Sequence, residues 1–186
     1  MPKFYIGESK SKKFKIGSFF LKLFEGVDYC HSFIMWYDKK TKVYKLAEAR
    51  GGGSRIVTQK RFLQYSDVIT LYEYQTHYTR LDKIEAWILT HLGDYNKRQL
   101  LGLGYMRIMN FILRICGAEK RVKNPIKDGD FSQICVELSA RAIEIGLNVD
   151  LPGDVEDYGL IEMRELNMQF CKYKLSGDMW MKKLEN

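Results

Sequence analysis

Proline is scarce in this sequence and cysteine is unorganised. Among 186 residues there are 3 Pro and 4 Cys. The cysteines, Cys30, Cys116, Cys135 and Cys171, stand without CxxC spacing, which argues against a zinc site and leaves a disulfide framework unsupported. No cofactor or metal is called for. No repeat, low-complexity tract or linker divides the chain, so residues 1–186 read as one domain, long enough to bury a core unaided. No apolar run approaches the ~20 residues of a membrane span. The start, Met1-Pro2-Lys3-Phe4-Tyr5, has no apolar segment of the secretory kind. Both absences point to a reducing cytoplasm, with release by lysis or packaging in a particle as the alternatives. No arginine-rich tract or recognised nucleic-acid motif occurs, so nucleic acid is not an expected partner. Gly51-Gly52-Gly53 lacks the helix and Lys-Ser/Thr of a phosphate loop, which removes a nucleotide site from consideration.

What is present is an ordinary globular balance, 46% hydrophobic and 28% charged, with 12 Tyr and 10 Phe. That composition excludes a wholly disordered chain. The formal charge is +7. The excess cations cluster at Lys10, Lys12, Lys13 and Lys15, at Lys97-Arg98, and at Lys120, Arg121 and Lys123. Solvated surface is the simpler reading of such clusters. An anionic surface, whether a cell-wall polymer or lipid headgroups, is the functional one.

Patterning predicts an α+β chain. Lys3–Gly7 reads as an edge strand, Glu8–Lys15 as a charged loop, and Ile16–Phe24 as a short helix with Ser18 as cap and Gly26 as stop. Strands follow at Asp28–Tyr37, Val43–Ala49, Ser54–Thr58 and Val68–Tyr74, making a small antiparallel sheet of neighbouring strands. From Thr79 the period becomes helical: Leu81, Ile84, Trp87, Ile88 and Leu92 form one stripe. A second helix is expected over Gln99–Ile115 with Tyr105, Ile108, Met109 and Ile112 inward. A third starts near Cys135, with Ile134, Leu138, Ala142 and Ile145 at helical spacing and Gly146 closing the run. After a turn at Leu151–Asp157, Phe170–Tyr173 offers a last strand.

The chemistry gathers on three residues. Cys135 falls in the first turn of its helix, where free N–H groups and the helix dipole favour a thiolate. A thiol nucleophile needs a base and a group to orient that base. Only three histidines exist. His77 sits in a polar connection and His91 near a helix end. His31 opens an apolar strand, where burying a polar side chain is costly unless it is satisfied. Glu48 is the acidic residue of the next strand, and antiparallel neighbours bring cross-strand side chains to about 5 Å. A carboxylate there would orient the imidazole. The bland readings are a buried small cysteine, a satisfied histidine and an exposed-face glutamate.

The order of these pieces resembles the circularly permuted NlpC-like papain-fold hydrolases, in which the His strand comes first and the Cys helix last. Tyr29-Cys30-His31-Ser32-Phe33-Ile34 is similar to the family's His strand, Leu46-Ala47-Glu48-Ala49 to its acidic strand, and Ile134-Cys135-Val136-Glu137-Leu138 to its Cys-Ser-Glu-Leu helix start. Leu92-Gly93-Asp94-Tyr95-Asn96 loosely resembles its Gly-x-x-Tyr-Asp element, one residue shorter and with Asn in place of Asp. Leu151-Pro152-Gly153-Asp154 is similar to a late Pro-x-Asp turn. The resemblance covers roughly residues 28 to 157, with residues 1–27 ahead of it. It implies a papain-like fold, Cys135 as nucleophile, His31 as base, Glu48 as its orienting group and Tyr95 at the pocket. The implied activity is a thiol hydrolase or acyltransferase on an amide, ester or thioester, its acyl or peptide substrate unidentified. A catalytically idle domain that binds an anionic partner, or a small structural protein, is the alternative.

Overall fold

The computed structural model describes residues 1–12, 27–50, 53–93, 97–117, 122–123, 125 and 135–176. The expected helix over Ile16–Phe24 lies outside them. Six strands form one antiparallel sheet: β1 (Lys3–Ser11), β2 (His31–Asp38), β3 (Val43–Arg50), β4 (Gly53–Thr58), β5 (Ser66–Gln75) and β6 (Tyr173–Ser176). The order across the sheet is β4-β3-β2-β1-β5-β6. The α-helices among the described residues are α1 (Gln59–Phe62), α2 (Tyr78–Thr90), α3 (Lys97–Ile115), α4 (Cys135–Leu147) and α5 (Leu160–Phe170).

This is an α+β protein built on one continuous six-stranded antiparallel sheet, and that arrangement replaces the expected papain-like fold with its small sheet. The physical reason lies in β1. Expected as an edge strand, it pairs with β2 on one side and β5 on the other, at the heart of the sheet. Phe4 and Ile6 enter the core on one face and Tyr5 the core on the other, the two-sided burial of an interior strand. The strand also runs on through Glu8 and Ser9, both buried, where a charged loop was expected. Glu8 is tolerated because Arg164 of α5 grips both its oxygens, at 3.0 and 2.8 Å, and the Tyr72 hydroxyl donates to it at 2.9 Å. The last strand likewise moves: α5 runs through Phe170, and β6 begins at Tyr173.

The two faces of the sheet carry different cover. Ile34, Trp36, Ala47, Ala49, Tyr72 and Tyr74 pack with α2, α4 and α5. Phe33, Met35, Leu46, Val57 and Leu71 pack on the opposite face around Phe62 of α1. Gly7 is part of this second core: a Cβ added there would lie 2.0 Å from the Phe33 ring. Gly7→Ala is therefore expected to cost about 1–3 kcal/mol, because the ring and strand must both shift. A thermal melt reads this directly, and an unchanged midpoint would refute it.

Candidate active site

His31 and Glu48 come together as their strands predict. Ala47 and Ala49 belong to the helix-bearing face, so alternation turns Glu48 to the face carrying α1. His31 reaches the same side, and its Nε2 lies 3.0 Å from Glu48 Oε2 with both side chains buried. A carboxylate only accepts, so Nε2 carries the proton and Nδ1 is left with its lone pair.

Glu48 is held by more than the histidine. Arg50 Nε donates to Oε2 at 2.6 Å, while Arg55 Nε at 2.9 Å and the Tyr65 hydroxyl at 2.6 Å donate to Oε1. Arg50 lies two residues along the same strand, and Arg55 is the cross-strand partner of Glu48 in β4. Although burial alone would raise it, these donors and His31 hold the Glu48 carboxyl well below the usual carboxylate range. With one carboxylate shared between two guanidinium groups, the local charge is already positive. Burial, with Arg50 and Arg55 adding to it, lowers the His31 pKa against the pull of Glu48. The ring rests neutral.

Cys135 is the first described residue of α4 and is buried. Burial pushes its thiol up to about 11, despite the nearby Ser32 backbone N–H and Arg50. The helix start was expected to favour a thiolate, and the opposite holds. A helix dipole contributes about 0.3–1 kcal/mol at its end, whereas full desolvation moves a pKa by several units. Cys116 is the exposed thiol, so simple alkylation is expected at Cys116 ahead of Cys135.

The strands around Cys135 part. β2 and β3 pair from Asp38↔Val43 up to Ile34↔Ala47. The Cys135 end of α4 meets β2 beyond that last pair, where the thiol lies near the backbone N–H of Ser32, next to His31. Ser32 Oγ meets Ser139 Oγ at 2.7 Å, and Ser139 Oγ donates to the Cys135 carbonyl at 3.1 Å. This chain ties the helix start to the strand bearing His31. Among the described residues, no hydrogen bond joins the Cys135 thiol to the imidazole.

His77 is exposed just before α2, and His91 stacks on Trp87 at its end, so neither enters the site. Tyr95 lies outside the described residues. Among those described, no group of three or more His, Cys, Asp or Glu converges as a metal site requires. Sequence reasoning missed Arg50, Arg55, Tyr65, Ser32 and Ser139. Two of them carried a readable signal: Arg50 at i+2 from Glu48, and Ser139 at i+4 from Cys135. The sequence matches no family model, and no curated protein is significantly similar to it.

Proposed function

We propose that the protein is a thiol hydrolase or acyltransferase that works through Cys135, His31 and Glu48. The observation that carries this reading is the buried Glu48–His31 pair: its Nδ1 takes no hydrogen bond from the described residues, and His31 adjoins Ser32, whose backbone N–H lies near the Cys135 thiol. A satisfied core histidine explains one hydrogen bond. It does not explain a buried carboxylate that also takes donors from Arg50, Arg55 and Tyr65. The motif-level resemblance to NlpC-like cysteine hydrolases supports the same roles.

The chemistry follows from a neutral pair rather than a preformed thiolate–imidazolium. As the Cys135 sulfur attacks the acyl carbon, Nδ1 of His31 takes the thiol proton, a C–S bond forms and the carbonyl oxygen becomes an oxyanion. The backbone N–H groups at the start of α4 stabilise that oxygen. The imidazolium returns its proton to the departing amine, alcohol or thiol as the old bond breaks. Water then cleaves the thioester by the same proton route, and a second acceptor in place of water would give transfer. Glu48 fixes the tautomer throughout. The thiol must first turn toward Nδ1; catalytic hydrogen bonds often tighten only once substrate is bound.

The test is acyl-enzyme trapping. Incubation with a p-nitrophenyl ester or an acyl thioester should add one acyl mass at Cys135, read by peptide mass spectrometry. Because His31 must be neutral, kcat/KM should fall on acidification with a midpoint below ~6.5, the ordinary imidazole value. It should hold level through neutral pH, since the thiol stays protonated up to about 11. Acyl mass at Cys116 alone, or an acid limb above 7, would sink the mechanism. The second reading, an idle domain binding an anionic partner, draws on the buried, high-pKa thiol. It predicts no acylation of Cys135 by any of these substrates.

A further inference from the structure

Among the described residues, helix α3 meets the rest of the chain at a few points. Met106 enters the core, Arg107 pairs with Glu162 of α5, and Asn110 exchanges hydrogen bonds with the backbone of Val122. Of the four residues expected to face inward, Met109 is half-buried and the other three do the reverse: Tyr105, Ile108 and Ile112 are exposed, together with Leu101, Phe111 and Ile115. Leu101, Tyr105, Ile108, Ile112 and Ile115 recur at spacings of four and three, which places them in one stripe along the 19-residue helix. Scattered exposed apolar residues need no explanation, but a stripe running ~21 Å along a helix does.

Charge identifies the occupant. The sequence of α3 contains Lys97, Arg98, Arg107 and Arg114 and not one Asp or Glu. A second copy of the helix would bring cations against cations, since the helix itself has no carboxylate to pair them as helix-pairing interfaces require. A membrane span is ruled out for this helix, since none of the described helices is long and apolar enough to cross a bilayer. A helix with this exposed stripe, whose sequence adds Lys97, Arg98 and Arg114 to the paired Arg107 and has no acidic residue, fits a bilayer interface, where acyl chains receive the stripe and anionic headgroups meet the basic residues. We infer that α3 docks in the plane of an anionic lipid membrane, its Leu101–Ile115 stripe turned toward the acyl chains. This surface stands apart from the thiol chemistry and does not depend on it.

Vesicle flotation of the full chain tests this. Wild type should float with phosphatidylcholine vesicles containing about one-third phosphatidylglycerol, and at least about tenfold less with pure phosphatidylcholine. Added salt should weaken the binding. The double substitution Leu101→Ser, Phe111→Ser should reduce anionic-vesicle binding by about tenfold or more, and Arg114→Glu by several-fold. All three side chains are exposed, so the variants should melt with wild type; should the double variant fail to fold, Ile115→Ser at the helix end replaces it. Absence of flotation with anionic vesicles overturns the inference. So does flotation that these substitutions leave unchanged, which would place binding on other lysines. A wild-type dimer in light scattering that the double substitution converts to monomer would assign the stripe to a second copy, and also overturns it.

Discussion

Cys135→Ala is expected to lower kcat/KM on an activated ester or thioester by about 10⁴-fold or more. Loss of a covalent nucleophile leaves only the binding and oxyanion contribution, and removal of a triad member elsewhere costs on this scale. His31→Ala should fall nearly as far, because a thiol at about 11 has almost no thiolate at neutral pH without a base to take its proton. The double variant should be no slower than Cys135→Ala alone, since the two groups act as a unit. Kinetics on purified variants, with intact mass after substrate addition, read all three results. Thermal melts separate lost chemistry from lost fold: Cys135 is small and sits at the end of its helix, so Ala there should cost little stability. If Cys135→Ala turns over substrate at the wild-type rate, the nucleophile lies elsewhere and the proposed function fails with it.

How much of this could be read from the residues depends on the range of the forces concerned. The His31–Glu48 pair was legible because both pieces of information are local: a short hairpin fixes which strands are neighbours, and period-two alternation fixes which side chains share a face. The placement of Cys135 in α4 was legible from apolar spacing. Its protonation was not, because desolvation depends on what surrounds the helix end, and the strand that covers it lies about a hundred residues away. The same limit misplaced β1. Glu8 looks like a surface residue until Arg164, 156 positions later, supplies its charge partner. Phe4-Tyr5-Ile6 did carry the signal of a strand buried on both faces, a continuous apolar run rather than an alternating one. In α3 the periodicity was real and its orientation was wrong. A hydrophobic stripe states that something must cover it, but not whether the cover is the protein's own core.

Glu48→Gln is expected to separate positioning from structure at the site's centre. The carboxylate takes four donors, and Arg50, at 19% exposure, is the cation most dependent on it. Breaking a buried ion pair by removing one partner costs about 3–5 kcal/mol. Arg55 is 45% exposed and can turn to solvent, so its share is discounted toward that of a surface pair. The expectation is about 3 kcal/mol, which at about 2–4 °C per kcal/mol for a chain of this size lowers the melting point by roughly 6–12 °C. The Glu48 carboxyl is held below its unfolded value. Its stabilisation is therefore complete above ~4.3 and is lost as pH falls through the folded value, so wild type and variant should converge at strongly acidic pH. A structural role alone ends there. A positioning role adds a fall in kcat/KM of about 10²-fold or more, because the imidazole loses the group that fixes its tautomer. It also shifts the acid limb to lower pH, since removing the anion further disfavours the imidazolium that Arg50 and Arg55 already oppose. Loss of stability with an unmoved acid limb and wild-type turnover would leave Glu48 as the pivot of a charge cluster, and His31 would need another explanation for its burial.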